Sequence, residues 1–480
     1  MKKLLGRREF LALSATLGAS AVVACAGPPG PPGPAGPAGP AGASGASGAA
    51  GEAGAAGAAA PTAVPMAAGG TVKWAEFYSL LADKNGELNT AWVNKVSKKF
   101  EAENPGWKVE TEGMKWDEID QRAMLDLAAG VDHDFMLSSP QLMAKHQKVG
   151  DYIDLTSRIA TWPQADQDDQ SWTPGWKAAS VGGQQIGVAT GVHTRTNAYN
   201  IEMFKEAGVD PKSVKTPDDV VNAALKMTKA DKDIWGLGMF MGPSRATIEL
   251  YFAPMVWHFG GDFYDATTGK ASLTSDASIK ATQWLYDLVF VHKVTPAYSY
   301  AADADYGALI LKAFTDGNIA QSMGFGSYWI GAIEEAGMLE GCHPATASCK
   351  TVTADVMLVP SSVQAQFTNA WCFSIHKLSK NPDMAFKLLT TALEPDLLAE
   401  YPDAGLPARL SAWAKPEYQS EFWKTWLEAA QKGRPMPASP AYVELADTVA
   451  AALQEIMSTK ADIKTTLKKY EDEWNGKYAV

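Results

Sequence analysis

From residue 71 onward, the hydrophobic and polar positions alternate between strand and helix periods. Short apolar or alternating stretches at 72–75, 107–111 and 135–137 predict three strands. Two stripes of apolar side chains at helical spacing lie between them: Trp92, Val96 and Phe100, then Ile119, Ala123, Met124 and Leu127. This alternation predicts a parallel sheet covered by helices, with a ligand crevice beyond the carboxyl ends of its strands.

Capping residues and turn formers delimit the predicted helices. The segment 104–106 ends the first helix, Asp117 caps the second, and Gly130 ends it. Thr216 and Pro217 begin a later helix, because Thr is a good N-cap and Pro suits the first helical position. Four further stripes are expected to face the core: Val221, Ala224, Leu225 and Thr228; Ile279, Thr282, Tyr286, Val289 and Phe290, after Ser275; Leu445, Val449, Leu453 and Ile456; Ile463, Leu467, Tyr470 and Trp474.

The first 25 residues have the pattern of an export signal. A basic start is followed by an apolar stretch from Phe10 to Ala24, which stops at Cys25. The run GRREFLALS resembles a twin-arginine motif, and the four residues that end at Cys25 resemble a lipobox. We therefore expect 1–24 to be a signal peptide and Cys25 to carry lipid that anchors the chain to a membrane surface. The alternative is an ordinary cleaved signal peptide, and the export route remains open.

A Gly stands at every third position from Gly27 to Gly57, in a segment rich in Pro and Ala. This spacing is collagen-like and leaves two interpretations, a trimerising triple helix or an extended spacer. The later triplets drift to Ala and Ser, which favours the spacer. Residues 25–70 are therefore predicted to be a tether that holds a monomeric body away from the lipid surface.

Charge and motif content exclude several classes of function. Lys and Arg number 42 against 54 Asp and Glu, a net charge of -12 that argues against nucleic-acid binding. The seven His are scattered without a close pair, so no metal site is expected. No phosphate-binding loop is present, and we expect no cofactor. The acidic pair Asp168 and Asp169 suits a solvated loop better than a glycosidase dyad.

Three Cys remain once Cys25 is assigned to the anchor. Cys342 and Cys349 flank a loop that contains Pro, and a local disulfide between them suits an oxidising compartment. Cys372 lies in an apolar run and is expected to be a buried free thiol. No pattern of His or Asn supports a catalytic role for it.

Six passages carry a family resemblance over nearly all of residues 71–480. They are KKFEAENPGWKVE, AMLDLAAGVDHDFML, YNIEMFKEAGVDPKSVKTPDDVVNAAL, FGGDFYDATTGKASLTSDASIKATQWLYDL, AFTDGNIAQSMGFGSYW and EAAQKGRPMPASPAYVELADTV. In order and spacing they resemble family 1 extracellular solute-binding proteins, the receptors of ABC importers, of the maltose and multiple-sugar type. The chain departs from the family at His133, where Pro is usual, and at Gln184 and Gln185, where a Gly-Lys turn is common.

The resemblance implies an α/β fold of the two-lobed periplasmic-binding-protein type (type II), with a ligand cleft between lobes. Each lobe is expected to be a mostly parallel sheet flanked by helices. The chain would cross between lobes near 191–196 and 369–374, and again between 406 and 422. The N-lobe then comprises 71–191 and 374–415, and the C-lobe comprises 196–369 and 420–480.

Candidate ligand residues follow from strand ends, from the crossings and from positions where the family contacts its solute. Sugars need paired polar groups for their hydroxyls and aromatic rings for their CH faces. The candidates are Trp74, Tyr78, Ser138, Ser139, Gln141, His193, Arg195, Ser244, Arg245, Ser327, Tyr328, Trp329, Trp371 and Tyr442. At His193 the maltose receptors carry an acid nearby, so the base found here argues against a maltose-like solute.

The resemblance implies a non-catalytic receptor outside the cytoplasmic membrane, at the cell surface or in the periplasm. It would capture a sugar or oligosaccharide by hinge closure and deliver it to membrane permease subunits. Three alternatives remain. The solute could be a polyamine, an anion or a phosphorylated sugar; the protein could be a surface enzyme acting on polysaccharide; or it could be a structural trimer.

Overall fold

A computed structural model describes residues 69–77, 84–115, 118–300, 307–363, 366–400 and 406–479. The predicted signal peptide, Cys25 and the Gly-rich repeat lie outside these ranges, as do Tyr78 and the predicted cap Asp117. Among the helices within them, none combines the length and apolar character needed to cross a membrane.

Thirteen strands and nineteen α-helices are found in the described ranges. The strands are β1 Gly70–Glu76, β2 Trp107–Gly113, β3 Phe135–Ser138, β4 Ser180–Val181, β5 Gln184–Gln185, β6 Val188–Asn200, β7 Tyr264–Asp265, β8 Lys270–Ala271, β9 Gln321–Gly326, β10 Leu339–Glu340, β11 Lys350–Thr351, β12 Ala354–Met357 and β13 Thr368–Ile375. The first ten helices are α1 Lys84–Glu103, α2 Ile119–Ala129, α3 Met143–Val149, α4 Thr156–Ile159, α5 Gln164–Ser171, α6 Pro174–Ala178, α7 Ile201–Glu206, α8 Pro217–Met227, α9 Arg245–Thr247 and α10 Ala253–His258. The remaining nine are α11 Asp276–Phe290, α12 Ala308–Thr315, α13 Ile330–Glu335, α14 Pro382–Ala392, α15 Pro395–Ala399, α16 Leu410–Trp413, α17 Glu421–Lys432, α18 Tyr442–Thr459 and α19 Ile463–Tyr478. A π-helix, Ile248–Phe252, joins α9 to α10, and short 3-10 turns include Pro140–Leu142 and Ser327–Trp329.

The principal sheet has the strand order β12-β6-β13-β3-β1-β2, with β9 also paired to β6. β1 pairs in parallel with β2 and with β3, as the β-α-β-α-β pattern predicted. The pairs that involve β13 and β6 are antiparallel. The predicted first three strands and the helices between them are thus confirmed, and the antiparallel partners are the strands at the two predicted crossings.

Two hydrophobic cores divide the structure, which confirms the predicted fold class. One core contains β1, β2 and β3 with α1, and the other is built mainly from residues 189–474. Strands β6 and β13 supply both: Val188 and Trp371 belong to the first core, whereas Ala198 and Ala370 belong to the second. A third segment accompanies them, because the Val192 N–H donates to the Leu406 carbonyl at 2.8 Å.

Local capping explains where the best-predicted helices begin. Thr216 accepts a hydrogen bond from the Asp219 N–H, and the Asp219 carboxylate accepts from the Thr216 N–H, which forms a capping box. Ser275 caps α11 in the predicted place. The terminal stripes also form α18 and α19, and the four predicted side chains of α18 are buried.

Two predicted helix faces are partly wrong. Leu225 is 47% exposed, because the buried stripe of α8 is centred on Val220, Ala224 and Met227. On α2, Met124 and Leu127 are only half-buried, whereas the acids Asp120 and Asp126 are buried. A hydrophobicity pattern cannot anticipate this, because buried acids require partners that lie elsewhere in the chain.

Asp120 belongs to a buried ionic cluster that consists of Asp120, His146 and Asp151. His146 Nε2 lies 2.9 Å from Asp120 Oδ1, and Nδ1 lies 2.8 Å from Asp151 Oδ2. Burial alone lowers the pKa of His146, but its hydrogen bonds to the two carboxylates outweigh burial and raise that pKa to about 9. His146 is therefore an imidazolium at neutral pH, held between two carboxylates.

Cys342 and Cys349 are joined in a disulfide with an S–S distance of 2.11 Å, on a loop between β10 and β11. Cys372 is a free thiol inside β13, and burial raises its pKa. A thiol in this state is a poor nucleophile, which agrees with its expected structural role.

Candidate solute-binding site

The segment after β3 begins with two serines that are fully used within the fold. The Ser138 hydroxyl lies 2.8 Å from the Ser374 hydroxyl and is buried. The backbone N–H and hydroxyl of Ser139 both donate to Asp120, at 2.9 and 2.5 Å. The two serines therefore fix the position of the segment that follows β3. The next candidate in that segment is Gln141.

Gln141 connects the segment after β3 to the π-helix and to β13. Its amide N donates to Glu249 Oε1 at 3.1 Å, and its amide O accepts from Asn369 Nδ2 at 3.0 Å. The Tyr442 hydroxyl donates to the same Glu249 oxygen at 2.8 Å. Two candidates, Gln141 and Tyr442, thus meet two residues that were not among the predictions.

Glu249 had a signal in the sequence that went unused. It is the single charged residue in the apolar run 246–257. It also lies in the π-helix Ile248–Phe252, a rare conformation that is frequent at functional sites. Asn369 had no comparable signal, because its role depends on its position opposite His193 in the β6–β13 pair.

His193 and Arg195 share one face of β6, since side chains two apart in a strand point the same way. His193 lies directly opposite Asn369 in the antiparallel register. Burial, aided by the nearby charge of Arg195, lowers the pKa of His193 to about 3, so its imidazole is neutral. Arg195 is buried, with its guanidinium 5.3 Å from the ring centroid of Tyr328 and 5.4 Å from that of Phe367.

The Ser327–Trp329 turn follows β9, and its three candidate residues differ in burial. Ser327 is buried, and Trp329 is buried against Phe325, with ring centroids 5.4 Å apart. Tyr328 is half-buried and carries the Arg195 guanidinium. Gly326 makes room for that ring, because a Cβ there would lie 2.2 Å from it. Tyr328 is therefore the aromatic side chain of this turn that belongs to the site.

Four other candidates lie outside this group of contacts. Trp74 is fully buried between Trp92, Phe135 and Phe373, which is a core position, and a role as a ligand platform stays a prediction. Trp371 is 9% exposed and packs on Phe77 at 4.8 Å. Ser244 caps α9, and Arg245 is half-buried near Asp447. Burial raises the pKa of Asp447, and the charge of Arg245 offsets part of that rise.

We call the contacting group the junction cluster, because it lies where elements of the two cores meet. It consists of Gln141, His193, Arg195, Glu249, Tyr328, Asn369 and Tyr442. It offers amides, a carboxylate, a hydroxyl, a guanidinium and an aromatic ring. This combination can bind the hydroxyls and CH faces of a polar small molecule.

A second concave region is less suited to a solute. A cavity of about 650 Å³ lies between α1, α15 and the disulfide loop. Four of its five charged side chains already pair with one another: Lys95 with Glu400 at 2.6 Å, and Lys415 with Asp396. The junction cluster instead takes His193, Arg195 and Asn369 from β6 and β13, the strands that both cores share, so it is the better candidate site.

Comparison with known proteins decides the family. The profile described as bacterial extracellular solute-binding protein matches residues 82–399, well over half of the chain. The chain belongs to this family. The solute-binding protein is also 32% identical over 152 residues to an arabinooligosaccharide-binding protein of Halalkalibacterium halodurans, a match that spans 31% of each chain. It therefore covers only about a third of that relative's length.

Solved structures agree with the fold of this solute-binding protein. A Thermotoga lettingae ABC transporter solute-binding protein bound to α-D-tagatose has a TM-score of 0.68 and 20% identity. The match covers 85% of this chain and 98% of that one. A maltose-bound T. maritima protein also has a TM-score of 0.68, with 19% identity and coverage of 84% and 98%. At these identities the likeness concerns the fold.

Proposed function

We propose that this chain is the substrate-binding subunit of an ABC importer and that it captures a sugar or oligosaccharide. The observation that carries the proposal is the junction cluster, in which polar groups and an aromatic ring converge beside β6 and β13, the strands that both cores share. The oligosaccharide named for a relative and the sugars bound in the similar structures support this solute class.

The proposal includes a lipid anchor at Cys25, a tether over 25–70, lobes bounded as predicted above, and transfer of the solute to permease subunits. It also assigns the protein no catalytic activity. The export pattern in the first 25 residues supports the anchor. A Cys25→Ala variant should leave the membrane fraction, while a variant at Cys372 should not.

Binding is tested by thermal unfolding and intrinsic Trp fluorescence against a panel of neutral and acidic sugars. A ligand present at a hundred times its Kd should stabilise the folded state by about 2.7 kcal/mol. Chromatography of each bound sugar after incubation should recover it unchanged. Absence of a shift with any sugar would refute the carbohydrate assignment, and release of smaller sugars would indicate an enzyme.

A further inference from the structure

The described part of the chain contains five arginines besides Arg195. Four of them pair with carboxylates: Arg122 with Asp126, Arg158 with Asp383, Arg409 with Asp166 and Asp169, and Arg434 with Asp262. Arg195 is the most buried of all, at 5% exposure, yet within the described ranges no carboxylate lies within ion-pair distance of it. A buried arginine without an anionic partner is rare, because arginines are almost never fully buried unless paired.

The described residues around Arg195 do not neutralise its charge. Nη1 donates to the Thr194 carbonyl at 3.1 Å, and Nε is buried without a hydrogen-bond partner among these residues. The rings of Tyr328 and Phe367 lie against the guanidinium and offer a cation–π contact, which is weaker than an ion pair in a buried site. The neighbouring His193 is neutral. The guanidinium therefore retains unused hydrogen-bonding capacity inside the junction cluster.

We propose that Arg195 binds a carboxylate of the solute, so that the transported sugar is a sugar acid, such as a uronate-bearing oligosaccharide. This inference rests on the proposed role as a carbohydrate receptor. The planar guanidinium fork matches a carboxylate in a bidentate pair. A monoanion fits better than a phosphate, because the cluster holds one cation and also the acidic Glu249. Gln141, Asn369 and Tyr442 remain for the hydroxyls.

The test compares acidic oligosaccharides with neutral counterparts of the same size by titration calorimetry. The probes are trigalacturonate and galactotriose, a glucuronate-substituted xylotetraose and xylotetraose, trimannuronate and mannotriose, and galactose 6-phosphate and galactose. We expect at least one acidic probe to bind more than tenfold tighter than its neutral counterpart. Arg195→Gln should weaken that probe about a hundredfold and leave weak binding of the neutral sugar unchanged.

Arg434→Gln is the matched control. Arg434 also lies over an aromatic ring, 4.5 Å from the Trp257 centroid, but it already pairs with Asp262. This variant should keep the wild-type ratio of acidic to neutral affinity. Arg195→Lys keeps the charge without the fork, and should fall between wild type and Arg195→Gln.

The outcomes separate this proposal from the one on which it rests. Neutral sugars that bind as tightly as acidic ones would overturn the role of Arg195 and leave the carbohydrate receptor standing. A preference for galactose 6-phosphate alone would overturn the carboxylate in favour of a phosphate. If no sugar of either kind binds, both proposals fail. The comparison of acidic with neutral sugars uses the wild-type protein, so it tests the proposal even if Arg195→Gln does not fold.

Discussion

Two buried cations in this protein have opposite surroundings. His146 is enclosed by carboxylates on both ring nitrogens, at 2.8 and 2.9 Å. Arg195 is nearly as inaccessible, but in the described structure its polar contact is one backbone carbonyl, and aromatic rings supply the rest. The charge of His146 is therefore paired with carboxylates without any ligand, whereas the described residues give the charge of Arg195 no such partner.

The difference indicates that the His146 site contributes to the stability of the fold, whereas the Arg195 site contributes to the affinity for a ligand. A paired buried charge is costly to disrupt, because removal of one partner leaves the other desolvated. An unpaired buried charge costs stability until an anion arrives, so part of the binding free energy is already stored in the folded protein. The predictions below test this contrast from the largest expected effect to the smallest.

Replacement of His146 should give the largest loss of stability. His146→Leu leaves Asp120 and Asp151 facing each other without a cation, and should lower the free energy of unfolding by about 3–5 kcal/mol. Chemical denaturation measures the loss. Lys108→Ala, which removes an exposed ion pair with Glu101, is the control and should cost less than about 1 kcal/mol. Equal losses of stability in the two variants would contradict the claim that His146 stabilises the fold by pairing with Asp120 and Asp151.

The pH dependence of stability should report both histidines, with opposite signs. His146 has a folded pKa raised to about 9, so its contribution is fully present below pH 6.5 and is lost as pH rises through 9, in total about 3 kcal/mol. His193 has a folded pKa lowered to about 3, so the unfolded chain takes up its proton first and stability falls as pH drops from 6.5 toward 3.

Denaturation curves from pH 4 to pH 9.5 measure these slopes. The alkaline slope should disappear in His146→Leu and persist in His193→Gln, whereas the acidic slope should diminish only in His193→Gln. If His146→Leu retains the alkaline slope, other groups cause it and the assignment to His146 is wrong.

Removal of the Arg195 charge should stabilise the ligand-free protein. Arg195→Met keeps the packing of the stem against Tyr328 and Phe367 and removes the uncompensated guanidinium, for a gain of about 1–3 kcal/mol. Thermal and chemical unfolding without ligand measure the change. A loss comparable to that of His146→Leu would mean that the charge is already compensated.

Tyr442→Phe should have the smallest effect. It removes one hydroxyl hydrogen bond to Glu249, whose carboxylate keeps the bond from Gln141, for a cost of about 1 kcal/mol in solute affinity or stability. Calorimetry with the best-binding sugar separates the two. A matched change, Tyr199→Phe, removes a hydroxyl bond to Asp355 far along the chain and should leave solute affinity unaffected.

Much of the fold could be predicted because its signals are local. Residues close together in the sequence define each of three features: the first three strands, the capping box at Thr216 and the buried stripe of α18. The prediction failed on α2, where distant partners decide the buried face, and at Leu225, which lies beside the buried stripe of α8. Asp120, for example, is buried because His146 lies against it, 26 residues later.

The site was less predictable, since its contacts are long-range. Gln141 was predicted because it follows the third strand and Tyr442 because it opens a late helix, but Glu249 is 108 residues from the first and 193 from the second. Trp74 was predicted from its place at the end of the first strand, which does not reveal whether an aromatic ring faces the core, where the structure has it. The lobe bounds, the anchor at Cys25 and Tyr78 remain predictions.

Strand β6 has one further consequence. Its 13 residues span roughly 40 Å and belong to both hydrophobic cores, and His193 and Arg195 lie along this span. Any rotation of one core against the other must bend or twist this strand. The residues that we propose to hold the solute therefore lie on the strand that such a rotation would deform, so a bound solute would act on that strand directly.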